Sequence, residues 1–289
     1  MIADPLERIL VSLDGSTLAE AVMPVAEALA REHEAELLLL RVIDPDVSPT
    51  FRNEEVEAEI YLGRLKRRLE EDGLRHVRSV VSVGRPDTAI AETAEGQRAN
   101  LIAMTTHGRS GLGRLLVGSV AQSVVRQAGA PVLLVHGRIE WKPGGSREVL
   151  VPLDGSPSSE AIVSSVERLA GPLDFAVHLF HALEPAPAGV EASGAAGMGV
   201  AHREQEARRY LAGIAGRLQA KGLRVQSSVR LGRAVDTIPA AVEEHGIGLV
   251  AMSTHGRTGL GRLLIGSVAE HVLRSIAVPV VLWRPRRAR

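Results

Sequence analysis

The chain has 289 residues, 34 Lys plus Arg against 34 Asp plus Glu, and no cysteine; 45% of it is hydrophobic but only 2% aromatic. A formal net charge of zero argues against general nucleic-acid binding, which needs a basic surface. The lack of cysteine excludes disulfides, thiolate metal sites and cysteine nucleophiles. The length suits two domains, with cores built from Leu, Val, Ile and Ala.

The N-terminal stretch MIADPLERILVSLDGS carries acids and a proline where a secretory signal would have a basic start and an apolar run. No apolar stretch approaches the roughly 20 residues of a membrane span. The expectation is a soluble, cytoplasmic protein with no membrane partner. ERILVSL (7–13) reads as a short strand ended by the Asp14-Gly15 turn, and Ser16 as the N-cap of a helix over TLAEAVMPVAEALAREH (17–33). AELLLLRVI (35–43) is a continuous apolar run, as in a strand buried on both faces. EEVEAEIYLGRLKRRLEEDG (54–73) reads as helix. Then follow VRSVVSV (strand), DTAIAETAEGQ (helix), ANLIAMTT (strand), GSVAQSVVRQAG (helix) and PVLLVH (strand).

The second half repeats the first. ILVSLDGS (9–16) returns as VLVPLDGS (149–156), offset by 140. VGRPDTAI (83–90), LIAMTTHGR (101–109) and AGAPVLLV (128–135) return offset by 148 as LGRAVDTI, LVAMSTHGR and IAVPVVLW. The eight extra residues fit the Pro/Gly/Ala-rich stretch EPAPAGVEASGAAGMGVA (184–201), read as a loop. Ser156-Pro157 places a capping residue before the favoured first helical position. The seam is GRIEWKPGGSRE (137–148), giving domains at 1–138 and 146–289, and RPRRAR at 284–289 reads as a solvated tail. Strict alternation of strand and helix with buried apolar strands means a parallel sheet with helices on both faces. The expected fold class is α/β, two tandem doubly wound parallel five-stranded sheets.

Open α/β sheets bind ligands beyond the C-terminal ends of their strands, where the strand order reverses. Three features fall there in each copy: Asp14 (Asp154) after the first strand, Arg41-Val42 (His181-Ala182) ending the second, and the loop from Thr105 to Ser119 (Ser253 to Ser267). That loop is THGRSGLGRLLVGSV at 106–120 and THGRTGLGRLLIGSV at 254–268. Its glycines admit an anion close to the backbone. Gly118-Ser119 opens a helix whose N-terminus favours phosphate, and Arg109 and Arg114 (Arg257 and Arg262) offer charge-assisted contacts. GLGRLL is not GxGxxG, and the GS start lacks the lysine of a P-loop. Plainer readings stand beside this one. Ser119-Val-Ala-Gln122 and Ser267-Val-Ala-Glu270 have the form of capping boxes, Asp14-Gly15 of a turn, and His107 and His255 of side chains bonded to their own loop.

A strand ending D-G-S, followed later by M-x-T-H-G-R-x-G-L-x-R-L-L-x-G-S-V and P-V-L-x-V, resembles the universal stress protein (UspA-like) family. The resemblance covers nearly the whole chain, twice. It implies a Rossmann-like, flavodoxin-like domain that binds an adenine nucleotide, ATP or ADP with or without Mg2+, through a G-x2-G-x9-G-[ST] motif. Here Thr105-Thr-His-Gly108, nine residues and Gly118-Ser119 fit that motif except at its first glycine, which is Thr105 in one copy and Ser253 in the other. The departure bears on affinity rather than fold. The resemblance assigns nucleotide contacts to Asp14, Val42, Met104, Gly108, Gly118, Ser119 and Val120, and to Asp154, Met252, Gly256, Gly266, Ser267 and Val268. Ala182 replaces the valine as a smaller wall for the adenine. Thr105, His107 and Arg109, with Ser253, His255 and Arg257, complete the two candidate sites. The family also pairs through its last strand, so 130–136 and 278–284 are expected to pair antiparallel within one chain as a pseudo-dimer, with which a homodimer remains compatible. The function implied is a nucleotide-binding regulatory stress protein with little or no turnover. The alternatives are a slow ATPase, or a stress protein that binds a partner and no nucleotide.

Overall fold

The computed structural model describes residues 6–46, 51–106, 117–136, 145–170, 175–185, 195–254 and 265–284. The first repeat supplies β1 (Arg8–Leu13), a 3-10 turn (Ala19–Val22), α1 (Met23–His33), β2 (Glu36–Ile43), α2 (Phe51–Glu71), β3 (Val77–Val83), α3 (Pro86–Gly96), β4 (Leu101–Thr105), α4 (Ser119–Gln127) and β5 (Val132–Val135). The second supplies β6 (Glu148–Pro152), α5 (Pro157–Glu160), α6 (Val163–Ala170), β7 (Ala176–Leu183), α7 (Ala195–Gln219), β8 (Arg224–Leu231), α8 (Ala234–Glu244), β9 (Leu249–Ser253), α9 (Ser267–Ser275) and β10 (Val280–Trp283). Among the described residues no helix is long and apolar enough to cross a membrane.

The chain divides into two compact units. One lies within Asp4–Gly145 and takes in β10, which belongs by sequence to the second repeat; the other lies within Ser146–Ile276. In the first, the strand order is β3-β2-β1-β4-β5-β10. Its five repeat-one strands are mutually parallel, and β10 runs antiparallel to β5 with Val280, Val281 and Leu282 opposite Leu134, Leu133 and Val132. In the second unit the order is β9-β6-β7-β8, all parallel. Both orders reverse direction at the first strand of the repeat, between β1 and β4 and between β6 and β9.

The cores follow from the apolar runs. Leu37, Leu38, Leu39 and Leu40 of β2 are fully buried, because helices cover both faces of that strand. Each such side chain contributes about 1.5–3 kcal/mol relative to exposure. Two elements depart from the sequence pattern. The helix expected over 17–33 is broken into a 3-10 turn and α1, because Pro24 near the start of α1 has no N–H to donate into a preceding turn. The stretch read as a loop over 184–201 is helical from Ala195. A helix once nucleated extends cheaply, so α7 runs back through Gly197 and Gly199 despite a cost of about 1 kcal/mol for each glycine. Residues 186–194 of that stretch lie outside the described residues.

Candidate functional site

Each site is created by strands that part at the point of reversal. β1 stays paired with β2 as far as Leu13 opposite Arg41, but its pairing with β4 ends at Val11 opposite Ala103. In the second unit the β6–β9 pairing ends at Leu150 opposite Val250. A crevice therefore opens beyond these residues, as the rule for open parallel sheets requires.

Asp14 stands on the rim of the first crevice. Its Oδ1 accepts from the Ser16 N–H at 2.9 Å and from the Ser16 hydroxyl at 2.6 Å, and Ser16 Oγ accepts in turn from the Ala19 N–H at 3.1 Å. Asp154 repeats this with the Ser156 N–H at 2.9 Å, and Ser156 caps α5 through the Ser159 N–H, with Pro157 at the helix start. Gly15 and Gly155 hold φ at 85° and 84°, a conformation that favours glycine. The turn reading of Asp14-Gly15 is thus correct, and the turn fixes the direction of the carboxylate.

The opposite rim is the start of α4 or α9. The chain leaves β4 at Thr106 and returns at Gly118, whose N–H donates to the Thr106 carbonyl at 2.8 Å. Gly266 donates likewise to Thr254 at 3.0 Å. A Cβ at Gly266 would stand 2.2 Å from that carbonyl oxygen, so only glycine permits the return. Gly118 and Gly266 are the N-cap residues, and no side chain caps either helix. This corrects the capping-box reading. Ser119 and Ser267 sit one position inside their helices and are exposed, and Gln122 Nε2 donates to the Val117 carbonyl at 2.7 Å instead of closing a box. The helix starts therefore present backbone N–H groups, and the positive end of the helix dipole, without a side-chain cap.

The remaining candidates distribute as follows. Val42 and Ala182 are half-buried near the ends of β2 and β7; Val120 and Val268 are half-buried in the first turns of α4 and α9. Met104 and Met252 are buried in β4 and β9. Thr105 and Ser253, which replace a glycine of the family motif, are buried, and Ser253 Oγ donates to the Ser159 carbonyl at 3.3 Å. That hydroxyl is engaged by a protein carbonyl. His107, Gly108 and Arg109, with His255, Gly256 and Arg257, lie outside the described residues.

Two residues went unremarked in the sequence. Tyr61 and Tyr210 are the chain's only tyrosines and fall 149 residues apart, at the same place in each repeat. That coincidence was the available signal. Tyr61 donates to Glu20 Oε1 at 2.9 Å and lies beneath the guanidinium of Arg41, 5.6 Å from its ring centre. Burial, then the Glu20 bond and the charges of Glu20 and Asp14, hold its phenol above the ordinary value, with Arg41 opposing. Tyr210 is raised chiefly by burial and then by Glu160, with a contribution from Asp154; His181 stands edge-on to it at 6.3 Å. Among the described residues, no group of three or more His, Cys, Asp or Glu side chains is arranged to hold a metal ion.

The duplicated doubly wound unit, with a turn-held acid and an uncapped Gly-Ser helix start in each copy, defines a class of tandem α/β proteins. The chain belongs to the universal stress protein family, whose model matches residues 5–136 and again 145–284. A universal stress protein of Mycolicibacterium smegmatis is 27% identical over 96% of this chain and 97% of its own length. A shorter one from Thermus aquaticus is 37% identical over 45% of this chain and 98% of its own. The crystal structure of a universal stress protein from Archaeoglobus fulgidus superposes with a TM-score of 0.74 at 19% identity, covering 99% of both chains, which establishes the fold.

Proposed function

We propose that each repeat binds one adenine nucleotide, ATP or ADP, and that the protein acts as a regulatory stress-response protein with little or no turnover. The observation that carries this reading is the start of α4 and α9, where a Gly-Ser step without a side-chain cap faces the opened end of the sheet. Backbone N–H groups there suit a phosphate, and a serine hydroxyl at the first helical position adds a donor. Asp14 and Asp154, aimed by their turns, accept from ribose hydroxyls. Val42 or Ala182, with Met104 or Met252, forms the apolar side against the base, while Gly118, Ser119 and Val120, or Gly266, Ser267 and Val268, receive the phosphates. A Mg2+ ion would arrive on the phosphates and keep most of its waters; were Asp14 or Asp154 its protein carboxylate, that role would replace the ribose contact. The antiparallel register of β5 and β10 supports reading the two repeats as an intramolecular pseudo-dimer.

Equilibrium dialysis of nucleotide-stripped protein tests the reading. Binding of ATP or ADP that falls at least tenfold in the Asp14→Ala, Asp154→Ala double variant supports it. Protein that binds neither at millimolar concentration refutes it. Phosphate release above the buffer rate that disappears in the double variant would favour the slow ATPase instead.

A further inference from the structure

One difference between the two crevices is a charge carried by the second strand. Arg41 is third from the end of its apolar run and lies opposite Leu13, the residue before Asp14. His181 takes the same place on β7, within the Ser146–Ile276 unit. Arg41 is 7% exposed, and its described contact is the face of Tyr61. Among the described residues no carboxylate or carbonyl oxygen accepts a hydrogen bond from its guanidinium. A guanidinium carries five donors and a permanent charge, and one lying over a ring face keeps its in-plane donors for other acceptors. Such a group at the ligand end of a sheet fits an anion that supplies the acceptors.

The surrounding charges differ accordingly. Around Tyr61 the acids Glu20 and Asp14 are opposed by Arg41. Around Tyr210 the acids are Glu160 and Asp154, and the arginine that meets Glu160, Arg217 at 3.4 Å, is exposed on α7 rather than buried in a strand. The first repeat therefore holds a buried permanent charge near the end of its second strand, where the second repeat has His181.

We infer that Arg41 makes the first site the tighter one for nucleoside polyphosphates, and that His181 leaves the second weaker. The inference rests on the nucleotide reading above. Arg41 acts through charge, so its effect grows with the number of phosphates. One unit charge at about 8–10 Å from a single phosphate charge, through an effective dielectric of about 40, changes affinity by roughly four- to sixfold, and each further phosphate adds to it.

Calorimetric titration of the full chain with ATP and with AMP tests this, comparing wild type with Arg41→His and His181→Arg. Each substitution installs the residue that the other repeat already holds at that place, and circular dichroism verifies that each variant is folded. The wild type is expected to show two classes of ATP site. Arg41→His weakens the tight class five- to tenfold for ATP and less for AMP, and His181→Arg tightens the weak class. Two ATP constants unchanged by both exchanges, or equal losses for ATP and AMP, overturn the inference and leave the nucleotide reading standing. A folded wild type that takes up no ATP overturns both.

Discussion

Acidification from about pH 7.5 to about pH 4.5 is expected to loosen the Ser146–Ile276 unit through a single side chain. His178 lies in the middle of β7, opposite Leu150 of β6, and is 2% exposed. Its Nε2 meets Ser228 Oγ at 2.8 Å, its Nδ1 has no hydrogen-bond partner among the described residues, and the ring of His245 at the end of α8 stands 4.4 Å away. Glu244, the adjacent acid, is ion-paired with Arg230. Burial first, and then the charge of His245, push His178 from 6.5 down to about 4. The folded state thus binds fewer protons than the unfolded one between those values, so stability is whole above about pH 6.5 and falls as the pH drops toward 4. At about 1.4 kcal/mol per pH unit, the full loss is about 3 kcal/mol, most of it incurred by pH 4.5. In the first repeat the corresponding place, opposite Leu10, is held by Leu38, which does not titrate. Hydrogen exchange followed by mass spectrometry, corrected for intrinsic rates, reads the units separately. Peptides covering β7 and α8 should lose about 50- to 100-fold in protection between the two pH values, and His178→Leu should abolish most of that loss. A His178→Leu protein whose β7 loosens as steeply as the wild type would refute the reasoning.

Three further outcomes follow from the geometry. Gly266→Ala should destabilise the start of α9 by about 1–3 kcal/mol, seen as lost exchange protection in α9, since its Cβ meets the Thr254 carbonyl oxygen at 2.2 Å; unaltered protection would contradict the close return. Ser156→Ala should cost about 1 kcal/mol in chemical denaturation because that side chain caps α5, whereas Ser119→Ala and Ser267→Ala should cost less than about 0.5 kcal/mol; equal losses would restore the capping-box reading. Val281→Asp should strip exchange protection from β5, because Val281 is fully buried and lies opposite Leu133, and a carboxylate there would be unpaired; undisturbed β5 amides would contradict that register.

How far the sequence could be read depended on whether a feature is local. The Asp-Gly-Ser turns are local, and they form as read at Asp14 and Asp154. The apolar runs set the strands: VRSVVSV at 77–83 is β3 residue for residue. The helix starts were misread by one position, because the contact that fixes them joins Gly118 to Thr106 across a twelve-residue return. No window around Ser119 contains that information. The same contact gives the glycine a structural duty that composition alone assigns to phosphate approach. The effect of Ser253 was equally invisible, since its hydroxyl is satisfied by the carbonyl of Ser159, 94 residues away. Arg41 and Tyr61 meet only because α2 folds back over β2, and the repeat spacing of the two tyrosines hinted at the place but not at the partner.

The decisive property of the protein is whether its two crevices hold nucleotide. Native mass spectrometry of the full chain, stripped of bound small molecules and titrated with ATP, measures this most directly. Adducts of one and then two ATP per chain are expected, with both lost in the Asp14→Ala, Asp154→Ala variant. A folded chain that shows no ATP adduct at millimolar nucleotide would contradict that expectation.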